Sequence, residues 1–206
     1  MIHDISMAIS KDIQVYKNKE IKKPFFIDIA NYSNGSVYET NMTFNLHTGT
    51  HIDFPLHIIE HGETSDSLEL SDLIGEAIVI DLSKVQDGIH SCDFINYEIK
   101  ENDFVLLKTK NSETDHFLFD YTYLAEDGAS YLISKNIKGV GIDALGIERS
   151  QVGHPTHKVL LNNGLFIIEG LRLKGIIEGR YDFIILPLKI SNVEALPARA
   201  ILIDKA

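Results

Sequence analysis

The stretch HTGTHIDFPLH, residues 47–57, places His47, His51, Asp53 and His57 around one glycine and one proline. A helix would put His47 and His51 on one face, four apart. Thr48, Gly49 and Thr50 are poor helix formers, however, and Pro55 would break what followed. A straight strand would hold the two histidines roughly 13 Å apart, at about 3.3 Å per residue. Ligands that lie about 2.0–2.2 Å from one metal cannot be so far apart. The remaining reading is a bend at Gly49, where glycine tolerates the backbone angles required. Beyond it, His51 and Asp53 share a face if the chain is extended. Two imidazoles and a carboxylate then gather at one point, a set that suits Zn, Mn or Fe(II). Sulfur is absent from the set, which disfavours a structural zinc-finger site. A nitrogen and oxygen site with few protein ligands keeps a position open for water.

Upstream, VYETNMTFNL (37–46) alternates, with Tyr38, Thr40, Met42, Phe44 and Leu46 on one face. The pattern predicts a half-buried strand that runs straight into His47. Downstream, AIVIDL (77–82), DFVLLKT (103–109), GVGID (139–143), LFIIE (165–169) and DFIILPL (182–188) read as buried strands. Helices are predicted over SCDFINYEIK (91–100), with Ser91 as N-cap, over DGASYLISKN (127–136) and over PTHKVLLNN (155–163). Pro155 suits a helix start and Gly164 a helix end. Strands alternating with helices give an α/β fold.

The chain of 206 residues fits one domain, residues 1–206, with 44% hydrophobic and 24% charged residues. A net charge of −11 argues against a nucleic-acid partner. No secretory leader is visible and no apolar run is long enough to span a bilayer, so a cytoplasmic protein without a membrane partner is expected. A single cysteine, Cys92, excludes an intramolecular disulfide and a Cys-rich zinc site.

A metal site also needs ligands from elsewhere in the chain. In THKVLLNNGLFIIEGL (156–171), His157 falls in a predicted helix and Glu169 ends a predicted strand. A carboxylate ending so apolar a run is costly to bury unpaired, so it reaches solvent or meets a cation. His3, His61, His90, His116 and His154 lack a ligand cluster of their own and read as ordinary hydrogen-bonding residues, although His61 and His154 lie near candidate site residues.

These segments resemble, in order, the motifs of the cyclase family of metal-dependent hydrolases, which includes bacterial kynurenine formamidases and isatin hydrolases. HTGTHIDFPLH resembles its HxGTHxDxPxH motif. NDFVLLKT, GIDALGIE, HKVLLNNGLFIIEGLRL and LPLKISNVEALPARAIL resemble four further family segments, so the likeness runs from about residue 44 to 203. The resemblance implies a mixed β-sheet or barrel-like core with flanking helices, of the swivelling β/β/α type, in a homodimer or homotetramer. It implies His47, His51, Asp53, His157 and Glu169 as ligands of one or two Zn²⁺ per subunit, with Mn²⁺ as the alternative. Asp53 and Glu169 would bridge two ions in a binuclear site. It implies His57 as the catalytic proton carrier and a small-molecule substrate with an amide-type C–N bond, formamide or cyclic amide.

The chain departs from the family at its N-terminal segment, where Lys17 and Asn18 replace a Pro-Gly pair. Kynurenine formamidases commonly carry a substrate-stacking Trp there; this chain has no Trp, and Tyr16 occupies the matching place. The serine usual after "GIDA" is also missing, with Gly146 close by. A metal-dependent cyclase or lyase, and a non-catalytic metal- or ligand-binding protein, are the alternatives. The intact set of ligand-type residues argues against the second.

Overall fold

The computed structural model describes residues 1–205. Its strands are β1 (Ile2–Asp4), β2 (Phe25–Ala30), β3 (Glu39–Thr43), β4 (His51–Asp53), β5 (Ile74–Asp81), β6 (Gly88–Ile89), β7 (Phe104–Lys108), β8 (Tyr123–Leu124), β9 (Gly139–Ile142), β10 (Phe166–Glu169), β11 (Gly179–Pro187) and β12 (Ala195–Asp204). Its two α-helices are α1 (Glu126–Ser134) and α2 (Pro155–Asn162). Neither is long and apolar enough to cross a membrane.

Seven strands close into a mixed barrel in the order β4, β12, β11, β5, β7, β9, β10 and back to β4. The run β5–β7–β9–β10 is parallel and the remaining pairs are antiparallel. Parallel neighbours need crossovers, and α1 carries the chain from β7 to β9, α2 from β9 to β10.

The parallel strands read as unbroken apolar runs because both of their faces are buried. Ala77, Val79, Phe104, Leu106 and Ile168 fill the barrel with Phe183, Ile185, Leu196 and Leu202. Ile78, Ile80, Val105, Leu107, Val140 and Ile167 face outward against Leu132 of α1 and Leu160 of α2. Inside so small a barrel there is no room for a side chain at position 141. A Cβ on Gly141 would lie 2.7 Å from Leu171 Cδ1 and 2.8 Å from Leu106 Cδ2.

The barrel-like α/β architecture is the one expected, and the five apolar runs, α1 and α2 lie where the sequence places them. Two elements differ. The alternating segment forms a strand only over β3, all five of its residues are exposed, and the chain turns through residues 46–50 instead of running straight into His47. The reason is topological: β4 is flanked by β10 and β12, so the barrel is closed, and β3 pairs only with β2 in a separate ribbon. The helix expected over 91–100 is a 3₁₀ turn, Ser91–Phe94, and His90, not Ser91, is its N-cap. Ser91 gives its backbone N–H and its hydroxyl to Asp127 of α1 instead, both at 3.0 Å. Ile95, Tyr97 and Ile99 beyond are indifferent helix formers and do not extend the turn.

Candidate metal centre

The site begins with the register of β4. His51 stands opposite Glu169 of β10, and Asp53 lies two residues along the same extended strand. His51 Nε2 is 3.5 Å from Glu169 Oε2 and 3.4 Å from Asp53 Oδ1. Gly49, at φ 73°, supplies the expected bend. It swings His47 back over the strand, so that His47 Nδ1 is 3.2 Å from His51 Nε2 and 3.1 Å from Asp53 Oδ1. His157 arrives from the first turn of α2, where Pro155 is the first helical residue. Its Nε2 is 3.4 Å from Glu169 Oε1 and 3.7 Å from Asp53 Oδ2. All five residues proposed as ligands therefore converge.

The bend is held from both sides. Gly170, at φ 69°, lies against Gly49 so closely that a Cβ on it would sit 2.4 Å from the Gly49 carbonyl oxygen. Thr50 Oγ1 donates to the Gly170 carbonyl at 2.6 Å and accepts from the Met7 N–H at 2.8 Å. Thr48 Oγ1 donates to the Lys22 carbonyl at 3.0 Å. Both threonines staple backbone and leave the ligand atoms untouched.

Hydrogen bonding fixes which atoms face the centre. His51 Nδ1 is 2.9 Å from the Gly49 carbonyl, which only accepts, so the ring carries a hydrogen there and Nε2 is the nitrogen that faces the centre. Both Asp53 oxygens are fully buried, and no hydrogen-bond donor is aimed at either. Buried acceptors converging on one point without donors fit a cation.

Protonated histidines would be the only other source of positive charge among these groups. Burial alone would push His51 down, yet Asp53 and Glu169 raise it to about 10. Burial would lower His157 too, but Asp53, Glu148 and Glu169 hold it well above its ordinary value. Against burial, His157, His47 and His51 hold Asp53 well below the usual carboxylate range. Burial and the Asp53 charge both work to raise Glu169, and His157 and His51 bring it down to about 2. A divalent ion answers the same demand for positive charge.

His57 ends a 3₁₀ turn, Pro55–His57, and its ring centroid lies 4.2 Å from His47 and 5.7 Å from His157. Burial depresses its pKa, so it favours the neutral, proton-accepting form. His57 and Tyr16 both line a cavity of about 290 Å³, with Glu169 and His157 in its wall. Tyr16 packs edge-on to Phe117 at 5.4 Å. A Cβ on Gly146 would meet Tyr121 Oη at 2.8 Å and Tyr16 Cε2 at 3.2 Å, so the glycine makes room for both rings.

The sequence reading passed over Glu148. Its carboxylate is buried beside His157, with Oε1 3.0 Å from His157 Nδ1 and 2.6 Å from His154 Nδ1, while Oε2 accepts from the Thr156 N–H at 2.9 Å. The signal was present: Glu148 ends the apolar run GIDALGIE as Glu169 ends LFIIE. His154 joins the cavity wall through the same carboxylate. His61 and His116 stay exposed, His3 pairs with Asp204 at 2.6 Å, and His90 caps its turn.

The chain is similar to known proteins over most of its length. The Cyclase family model, described as "Putative cyclase", matches residues 3–149. A kynurenine formamidase of Salinibacter ruber is 30% identical over 98% of this chain and 96% of its own. A solved structure described as a potential metal-dependent hydrolase with cyclase activity superposes with a TM-score of 0.93 at 47% identity, covering 100% of this chain and 98% of the other. Isatin hydrolase A of Labrenzia aggregata shares the fold, with a TM-score of 0.85 at 22% identity over 98% of this chain and 93% of its own. The fold, the converging donors and these likenesses together place the chain in the cyclase family of metal-dependent hydrolases.

Proposed function

We propose that the chain hydrolyses an amide-type C–N bond in a small molecule, a formamide or cyclic amide, with N-formylkynurenine as the first candidate. The observation that carries the reading is the Asp53 carboxylate, buried without a donor among His47, His51 and His157. His47, His51, Asp53, His157 and Glu169 would hold one or two Zn²⁺ ions, or Mn²⁺. The bound ion supplies a water of lowered pKa and polarises the scissile carbonyl.

The chain's own residues do the rest. An imidazole nitrogen of His57 accepts a proton from the attacking water and returns it to the leaving nitrogen as the C–N bond breaks. Tyr16 offers its ring to an aromatic substrate. Glu148 fixes His157 from behind. The products are a carboxylate and a free amine.

We further infer a cytoplasmic enzyme that assembles as a homodimer or homotetramer. Apolar side chains that this chain leaves uncovered on the β2–β3 ribbon support the assembly.

The test is release of kynurenine from N-formylkynurenine by protein stripped of metal and refilled with Zn²⁺ or Mn²⁺, in labelled water. Metal-dependent turnover with solvent oxygen in the released formate, and a loss of roughly 10²–10⁴-fold in His57→Ala, is the expected result. Absence of turnover in metal-loaded protein would remove this substrate. A dehydration product without solvent oxygen would favour the lyase alternative.

A further inference from the structure

Lys22 closes the 3₁₀ turn Glu20–Lys22 and is tied to the metal-ligand turn, because its carbonyl accepts from Thr48 Oγ1 at 3.0 Å. Its side chain is half-buried and lines the candidate active-site cavity together with His47, His57 and Glu169. Its ammonium lies 5.4 Å from the centroid of the Tyr16 ring. The neighbouring Lys23 takes the nearby carboxylate, Glu20, at 2.7 Å. Among the described residues Lys22 forms no ion pair.

This placement is unfavourable at rest. Burial first, then the Lys19 charge, depresses the ammonium, and the Glu169 and Asp53 charges oppose them. Because those two carboxylates act on it, the ammonium belongs to the end of the cavity where the candidate ligands converge. Once the ligand carboxylates have their divalent ion, Lys22 is left as a partly desolvated cation without a counter-charge. Negative charge that develops beside it during the reaction would supply one. A group that gains its partner only in the transition state accelerates the chemical step, whereas one already satisfied in the ground state does not.

We propose that Lys22 is a catalytic residue: its ammonium donates a hydrogen bond to the scissile carbonyl oxygen as that oxygen becomes an oxyanion. The water oxygen bonds to the carbonyl carbon, and the C=O π pair moves onto the carbonyl oxygen, which accepts from Lys22 Nζ. When the C=O bond re-forms, the C–N pair leaves with the nitrogen, which takes the proton held by His57. Lys22 keeps its own protons throughout. The proposal rests on the amide-hydrolase reading and adds an electrophilic group to it.

The test uses formanilide, an uncharged amide, on the metal-loaded full chain, so that no substituent charge enters the comparison. Lys22→Met is expected to lower kcat roughly 10²–10³-fold, with KM changed by less than about threefold. Lys22→Arg keeps a cationic donor and should recover about tenfold of that loss. Lys19→Met removes an exposed charge outside the cavity wall and should stay within about twofold of the wild type. Metal content and thermal midpoints, measured beside the rates, separate loss of the donor from loss of metal or of the fold. If Lys22→Met loses either, Lys22→Gln takes its place. Calorimetry adds a readout without turnover: formate, the product anion, should bind about tenfold more weakly to Lys22→Met and unchanged to Lys19→Met.

An unchanged kcat in Lys22→Met, or a loss confined to KM, would overturn the proposal. If the wild type does not turn over formanilide, the amide reading fails for this compound and formate binding decides alone. Weaker formate binding in Lys22→Met would then support Lys22 as the anion-stabilising group of the centre and count against amide hydrolysis. Equal affinities would overturn the role of Lys22 itself.

Discussion

Glu148 touches no reacting atom, yet two histidines lean on its carboxylate. Glu148→Gln keeps the shape and removes the charge that orients His157. Loss of such a partner behind a metal ligand costs roughly 10–100-fold in metal affinity or activity. We expect that loss in a metal titration as well as in kcat; an unchanged affinity would reduce Glu148 to a packing role. At this scale the sequence was readable wherever ligand types stand close together, as in residues 47–57. Glu148 was missed because its partners, His154 and His157, lie across a loop and on a helix whose approach only the fold decides.

Among the elements, the turn at Gly49 and its neighbour Gly170 form the hinge of the site. Gly170→Ala forces a Cβ to within 2.4 Å of a carbonyl oxygen at φ 69°. We expect it to cost about 2–4 kcal/mol in urea unfolding. Gly164→Ala is the control. It has φ 72° with nothing within 4 Å of the new atom, and should cost only about 1 kcal/mol. Equal losses would show that strain alone, and not the Gly49 contact, matters.

Asp127 ties α1 to the turn at Ser91–Phe94. The Ser91 backbone N–H, helped by His90 and the Ser91 hydroxyl, holds its carboxyl at about 2, below the ordinary 3.8. A carboxyl depressed by folding stabilises the fold when ionised. That contribution is complete above about pH 4 and is lost as pH falls through about 2. The side chain is 51% exposed, so screening keeps the effect below about 1 kcal/mol. Asp127→Asn should lower the thermal midpoint at pH 6, and the gap to wild type should close between pH 4 and 2. A constant gap would contradict the assignment. The same aspartate shows why Ser91 was misread as an N-cap: its backbone N–H and hydroxyl are taken by a carboxylate 36 residues away.

For the whole molecule, the parallel strands could be read from the sequence because burial on both faces writes itself as an unbroken apolar run. Barrel closure could not. β4 has only three residues, and its neighbours β10 and β12 come from more than a hundred residues away. The alternation of 37–46 was seen, but no sequence pattern says that its apolar face finds no cover within the chain. Phe25 is 62% exposed and Ile27 48%, on a two-stranded ribbon of a kind that is marginal in water by itself. Light scattering should therefore find a homodimer or homotetramer, and Phe25→Glu/Ile27→Glu a smaller species. A monomeric wild type would contradict the assembly.

Five side chains, from β4, β10, α2 and the Gly49 turn, are proposed to form one metal centre. The most direct measurement is metal content by mass spectrometry of protein dialysed against Zn²⁺ and then buffer, for wild type and Asp53→Asn, with the thermal midpoint read before and after chelation. One or two ions per subunit are expected in wild type, with a midpoint that falls when they are removed, and both effects are expected to be lost in the variant. A wild type that holds no metal, or a variant that holds as much with the same midpoint shift, would contradict it.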